Sequence, residues 1–204
     1  MNQKHQEDLA HIRSMMERSS RFISLSGLSG VFAGLSALIG GLYVYQLFKV
    51  NGVDYFNDEI IEIPSKLVSE LFVSGIAILI SAFVFGVAFT IRKSKKYNLP
   101  IWTSATKKML FNLAIPLIAG GVFCLALLYH SIYGFVAPAT LIFYGLALIN
   151  AEKYTFSDIK YLGFCELILG CVSLFYIGYG LIFWIIGFGI LHILYGLIMF
   201  KKYK

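Results

Sequence analysis

Residues 71–91 read LFVSGIAILISAFVFGVAFTI, and Arg92-Lys93-Ser94-Lys95-Lys96 follow without a break. About 20 mostly apolar residues are needed to cross a hydrocarbon core of about 30 Å as a helix. This run meets that length without one charge and then enters a cluster of cations, as a helix does on leaving a bilayer. Runs of the same kind recur along the chain, so the predicted spans are about 22–48, 67–91, 109–129, 131–150, 159–177 and 179–200. From Tyr161 to Ile177 the fifth run carries one charge, Glu166. Strands of a membrane barrel would alternate apolar and polar residues over roughly ten-residue segments. These runs do not alternate.

The whole chain agrees with that stretch. Of its 204 residues, 58% are hydrophobic and 14% charged, with a mean hydropathy of +0.77. Soluble domains hold roughly 45–50% apolar and 25% charged residues. A soluble domain this small has too much surface for its volume to hide the excess. Disordered, coiled-coil, collagen-like and disulfide-rich chains are excluded by the same figures. The predicted class is an all-α, polytopic membrane helix bundle: residues 1–21 precede it, 22–200 form the six-span domain, and 201–204 are a basic tail.

Orientation follows from where the cations fall. Lys4, Arg13, Arg18 and Arg21 lie on one side. So do Arg92, Lys93, Lys95, Lys96, Lys107, Lys108, Lys153, Lys160, Lys201, Lys202 and Lys204. Only Lys49 and Lys66 lie on the other side, with Asp54, Asp58, Glu59, Glu62 and Glu70. The expected arrangement has both termini in the cytoplasm of a bacterial inner membrane. The net charge of +6 then reflects the positive-inside pattern and calls for no nucleic acid. The first 21 residues carry seven charges and do not read as a cleavable signal.

Residues 5–21 place Leu9, Ile12 and Met16 near helical spacing, with acids early and arginines late, as the helix dipole favours. They read as an amphipathic helix lying on the inner leaflet or docking a cytoplasmic protein or a second subunit. Asn51-Gly52 and Pro64 punctuate the acidic loop, where Asp54, Asp58 and Glu62 are spaced by four. That loop lacks the pattern of a calcium-binding loop and reads as solvated. Arg92, Lys93, Lys95, Lys96, Lys107 and Lys108 read as a contact for anionic headgroups, each attracted by about 1 kcal/mol near the surface. Trp102 beside them reads as an interfacial anchor.

The first span is rich in small residues. Ser26, Gly30 and Gly34 form one ladder, and Ser29, Ala33, Ala37 and Gly41 form another beside it. Such faces let helix backbones approach closely where lipid offers no hydrophobic drive. They predict packing within the chain or across a homo-oligomer. Pro116 and Pro138 are expected to bend spans three and four. Cys124, Cys165 and Cys171 read as buried small hydrophobes. Short echoes, Tyr133-Gly134 with Tyr179-Gly180 and Phe143–Leu146 with Leu194–Leu197, suggest three related hairpins.

One polar constellation stands out. Glu166 lies about 10 Å into span five if that span begins near Ile159, at 1.5 Å per residue. His192 reaches a similar depth in span six. Gly163, Glu166, Gly170 and Ser173 share one helix face, and Gly189, His192 and Gly196 share another. The pair is expected to touch, with Tyr144, Tyr195 and Asn112 at comparable depth. Ionisable groups inside spans are costly and mark functional sites by default, whereas the plain alternative is a polar clasp between helices. Zinc-protease, nucleophile-elbow, Walker and Rossmann motifs are absent, and His130 and His192 lie at opposite ends of their spans. No metal, cofactor or catalytic residue is therefore expected.

The stretch EDLAHIRSMMERSSRFISLSGLSGV, Glu7 to Val31, resembles the start of a group of six-span inner-membrane proteins of Bacteroidota that has no established activity. The resemblance implies location and architecture only. Some members bear a carotenoid-oxygenase name; that chemistry needs iron held by four histidines on a β-propeller, and neither strands nor clustered histidines are present here. The expected role is a non-catalytic membrane-embedded sensor, regulator or scaffold. Its rivals are a small permease or channel using Glu166 and His192, and an intramembrane lipid-modifying enzyme using Glu166 as base.

Overall fold

The computed structural model describes Asp8 and residues 26–53 and 63–203. The predicted helix over residues 5–21 and the acidic trio Asp54, Asp58 and Glu62 lie outside the described residues, Asp8 apart. No strand occurs among the described residues. The helices are α1 (Gly27–Val50), α2 (Ser65–Lys96), α3 (Ser104–Tyr129), α4 (Val136–Ala151) and α5 (Ile159–Ser173). A last span joins α6 (Gly180–Trp184), a π-helical segment (Ile185–Leu191) and α7 (His192–Lys202). Five of the resulting spans are long and apolar enough to cross a membrane. The chain is a multi-pass helical membrane protein.

The fifth predicted span is α5, and here the expected length needs correction. The helix has 15 residues, not the run 159–177, and so rises only about 22 Å. It ends at Ser173 while the sequence stays apolar through Leu174, Phe175 and Tyr176, so hydropathy alone could not mark the stop. Pro138 also differs from expectation. It occupies the first turn of α4, where no intrahelical bond needs its missing N–H, and does not interrupt a span. Pro116 does lie inside α3. Cys165 and Cys171 are exposed, not buried, on the face of α5 that points away from its protein neighbours.

Three helices stop in the same way. Gly52, Asn98 and Ser131 have φ of 68°, 51° and 60°. The N–H one residue further on reaches back to the last turn: Val53 to Phe48, Leu99 to Ser94 and Ile132 to Leu127, at 3.0, 2.9 and 2.8 Å. This is the Schellman closure, which satisfies carbonyls that the helix leaves unpaired. Thr103 starts α3 with a capping box to Thr106.

Packing follows the small residues. α1 lies between α2 and the last span, which in turn meets α4 and α5; α3 packs on α4. A methyl group added to Gly34 would lie 2.7 Å from the Gly189 carbonyl, and one on Gly196 would lie 2.7 Å from that of Gly27. The predicted ladders of α1 are thus used within the chain, with Gly34, Ala37 and Gly41 buried. Gly145 of α4 and Gly163 of α5 make a second close crossing: a methyl on either would sit 2.6 or 2.9 Å from the other's carbonyl. By contrast, the most apolar stretch of α2 buries none of its residues.

Candidate intramembrane polar site

The close α4–α5 crossing and the seam between α1 and the last span bring three polar side chains to one level. On α5, Gly163, Glu166, Gly170 and Ser173 are all buried, as their shared face requires. Glu166 is 0% exposed and His192 6%. The His192 Nδ1 lies 3.2 Å from Glu166 Oε1. It also lies 3.0 Å from the Gly187 carbonyl. A carbonyl only accepts, so Nδ1 carries the hydrogen and donates it to Gly187. The Nε2 of the same ring is 2.9 Å from the Tyr144 hydroxyl, which donates to it when the imidazole is neutral.

Glu166 therefore touches His192 at ion-pair distance but receives no hydrogen bond. Both its oxygens, the Ser173 Oγ and the Tyr195 hydroxyl are buried with no hydrogen-bond partner. Unpaired buried polar groups cost on the order of 1–3 kcal/mol each. The carboxylate lies against Gly187, where a methyl group would overlap Oε2 and come within 2.6 Å of Leu141 Cδ2. Phe188 closes the site from one side, its ring centroid 5.0 Å from that of Tyr144 and 5.8 Å from that of His192. The π-helical turn supplies Gly187 and Phe188 at this level, and such turns recur at functional sites. Hydropathy carried no sign of that turn; the Gly187–Gly189 pair was its one visible trace.

The other predicted members separate. Tyr195 packs with Tyr144 against Leu148, Ile159 and Leu162. Asn112 is a correction: its amide donates to the Lys108 carbonyl of its own helix, and its carbonyl receives the Asn150 amide at 2.8 Å. A spacing read along α3 could not reveal that α3 packs on α4 and not on the last span. Lys93 is drawn inward: its ammonium donates to the Tyr203 carbonyl at 3.2 Å and lies over the Phe156 ring. Arg92, Lys95, Lys96, Lys107 and Lys108 remain exposed, and Lys107 lies over Trp102. Among the described residues, no three His, Cys, Asp or Glu side chains gather to hold a metal.

The end of the bundle that carries these cations holds a cluster the sequence did not announce. Asp158 accepts from Lys202 at 2.9 Å and from the Tyr203 hydroxyl at 2.7 Å. Phe156 packs on the Tyr203 ring at 4.2 Å. Burial by itself would raise the Asp158 carboxyl, but Tyr203 and Lys202 outweigh it and hold the group below the usual carboxylate range. The same bond, with burial second, raises the Tyr203 hydroxyl. Comparison with known proteins adds no relative to this geometry: no family model, no curated protein and no solved structure matches the chain.

Proposed function

We propose that this chain is a six-span inner-membrane protein with both termini in the cytoplasm, akin to the group its first residues resemble, and that it acts without catalysis as a membrane-embedded sensor or regulator. The supporting observation is the Glu166–His192–Tyr144 site, walled by close-packed glycines and aromatic rings. A sealed ionisable pair suits a state that is read by the surrounding helices better than a solute path. Residues 5–21 are the segment through which a cytoplasmic protein or a second copy would receive that state, and the exposed cations hold anionic headgroups.

A permease is the second reading, favoured by the π-helical segment and the unsupported carboxylate. The two part in proteoliposomes loaded with a pH-sensitive dye. Under the sensor reading, an imposed proton gradient decays at the same rate with the wild-type protein and with Glu166→Gln. A faster decay that Glu166→Gln abolishes would replace the sensor with the permease.

A further inference from the structure

Four buried polar groups, Glu166, His192, Tyr144 and Tyr195, gather along the start of α7. His192, Tyr195, Met199 and Lys202 fall at helical spacing on one side of α7. That side begins at the Glu166 contact and ends about 15 Å away, at 1.5 Å per residue, on the Asp158–Lys202 pair. Between the two lie the Tyr144 hydroxyl, already on His192, and the Tyr195 hydroxyl, buried and unpartnered. Away from this line, Glu166 meets Leu141, 0% exposed, and Gly187. Further along the last span the interior is the apolar cluster of Phe48, Leu67 and Leu181. Toward the other end the one polar group on the Glu166 face of α5 is the buried Ser173 hydroxyl, two turns away, whereas the Tyr195 side leads to the charged Asp158–Lys202 pair.

We infer that Glu166 is a proton-binding site served from the Asp158–Lys202 end of the bundle through Tyr195, Tyr144 and His192. This rests on the sensor reading and names its signal. The transfer balances without any other reactant. The Tyr195 hydroxyl, unpartnered at rest, turns to pass its hydrogen to the Tyr144 oxygen and takes a replacement from water at that end. The Tyr144 hydrogen passes to His192 Nε2, and the Nδ1 hydrogen passes to Glu166 Oε1. The products are a carboxylic acid, a neutral imidazole of the opposite tautomer and an intact tyrosine.

The new tautomer has consequences for the helix. Nδ1 now presents a lone pair to the Gly187 carbonyl, and the bond from His192 into the π-helical segment is lost. That segment packs directly on α1, whose N-terminal end continues into the segment proposed to signal. The titratable groups that face Glu166 are Tyr144 from α4 and His192 from α7, and Tyr195 packs beside Tyr144. On α1 the titratable groups are Tyr43, Tyr45 and Lys49, all in its last two turns, and the π-helical segment carries none.

The test is infrared difference spectroscopy on sealed vesicles in which the Lys201–Lys202 end faces outward, with the external pH stepped down. The expected result is a carbonyl band of a protonated carboxylic acid that shifts with ¹³C-glutamate labelling of the unaltered protein and is lost in Glu166→Gln. Tyr195→Phe, which removes an unpartnered hydroxyl and leaves the packing intact, slows its appearance while keeping its amplitude. Absence of the labelled band overturns the site and leaves the sensor reading standing. An equally fast band when only the opposite face is acidified, or an unchanged rate in both Tyr195→Phe and Tyr144→Phe, overturns the route. A labelled band accompanied by collapse of the vesicle gradient keeps the site and overturns the sensor.

Discussion

His192 serves two partners with one ring, and each of its nitrogens is committed. Removing the Tyr144 hydroxyl strands Nε2, so Tyr144→Phe should lower detergent stability by about 0.6 kcal/mol, the mean for polar contacts between membrane helices, and by no more than about 1.7. Glu166 and His192 should be coupled more strongly than that pair. His192→Leu leaves a carboxylate beside apolar groups, and Glu166→Gln changes the neighbour of Nδ1. The double variant should therefore cost less than the two single losses combined. Melting curves of the three variants check this, and strict additivity would mean that the 3.2 Å contact carries no energy. At this scale much of the site was legible. Glu166 and His192 could be paired because depth and helix face are both counted in residues. Gly187 and Phe188 were not, because a π-helical turn breaks the period by which faces are counted.

Small residues decide where helices meet, and a pair of alanine substitutions measures it. Gly34→Ala drives a methyl to 2.7 Å from the Gly189 carbonyl and 2.8 Å from the Ile193 side chain. Overpacking of this kind costs about 1–3 kcal/mol. Gly75→Ala on α2 meets nothing within 4 Å and should gain up to about 1 kcal/mol from helix propensity. Thermal melting of both variants should move in opposite directions; a similar response would mean that α1 is not held by that seam. The helix ends offer a further check. Ser131 stands at φ 60°, where a β-carbon is strained. Ser131→Gly should relieve about 1 kcal/mol, read as a higher melting temperature. Helix identity was plain from hydropathy, because a bilayer demands long, internally bonded helices. Helix ends were not: α2 runs on through its cations to Lys96, which the dipole welcomes at a C-terminus, and α5 stops inside an apolar run.

Contacts across the molecule tie one end of the bundle together. Lys93 of α2 reaches Tyr203, Asn150 of α4 reaches α3, and Asp158 before α5 holds Lys202 and Tyr203. Because the folded carboxyl of Asp158 lies below its unfolded value near 3.9, its stabilisation is present above that pH. It is lost as pH falls through the folded value. The Lys202 side chain is 54% exposed, so the increment belongs with surface pairs at about 0–1 kcal/mol. Asp158→Asn should melt slightly lower at neutral pH and converge with the wild type in strong acid. These contacts place at a single end the cations of four separate segments: 92–96, 107–108, 153–160 and 201–202. That grouping was legible from the sequence, because runs read as crossing once each alternate the sides of successive loops. Which aqueous phase meets that end is a matter of charge. Translocation holds back Lys and Arg in short loops, so reporter fusions at Tyr97 and Lys204 should report the cytoplasm and one at Asn57 the periplasm. The short α5 makes the last fusion the sharpest of these. A periplasmic Lys204 beside a cytoplasmic Tyr97 would mean that α5 does not cross and that the Lys93–Tyr203 and Lys202–Asp158 contacts do not form. A cytoplasmic Lys204 requires α5 to cross, and places Glu166 between the two aqueous phases.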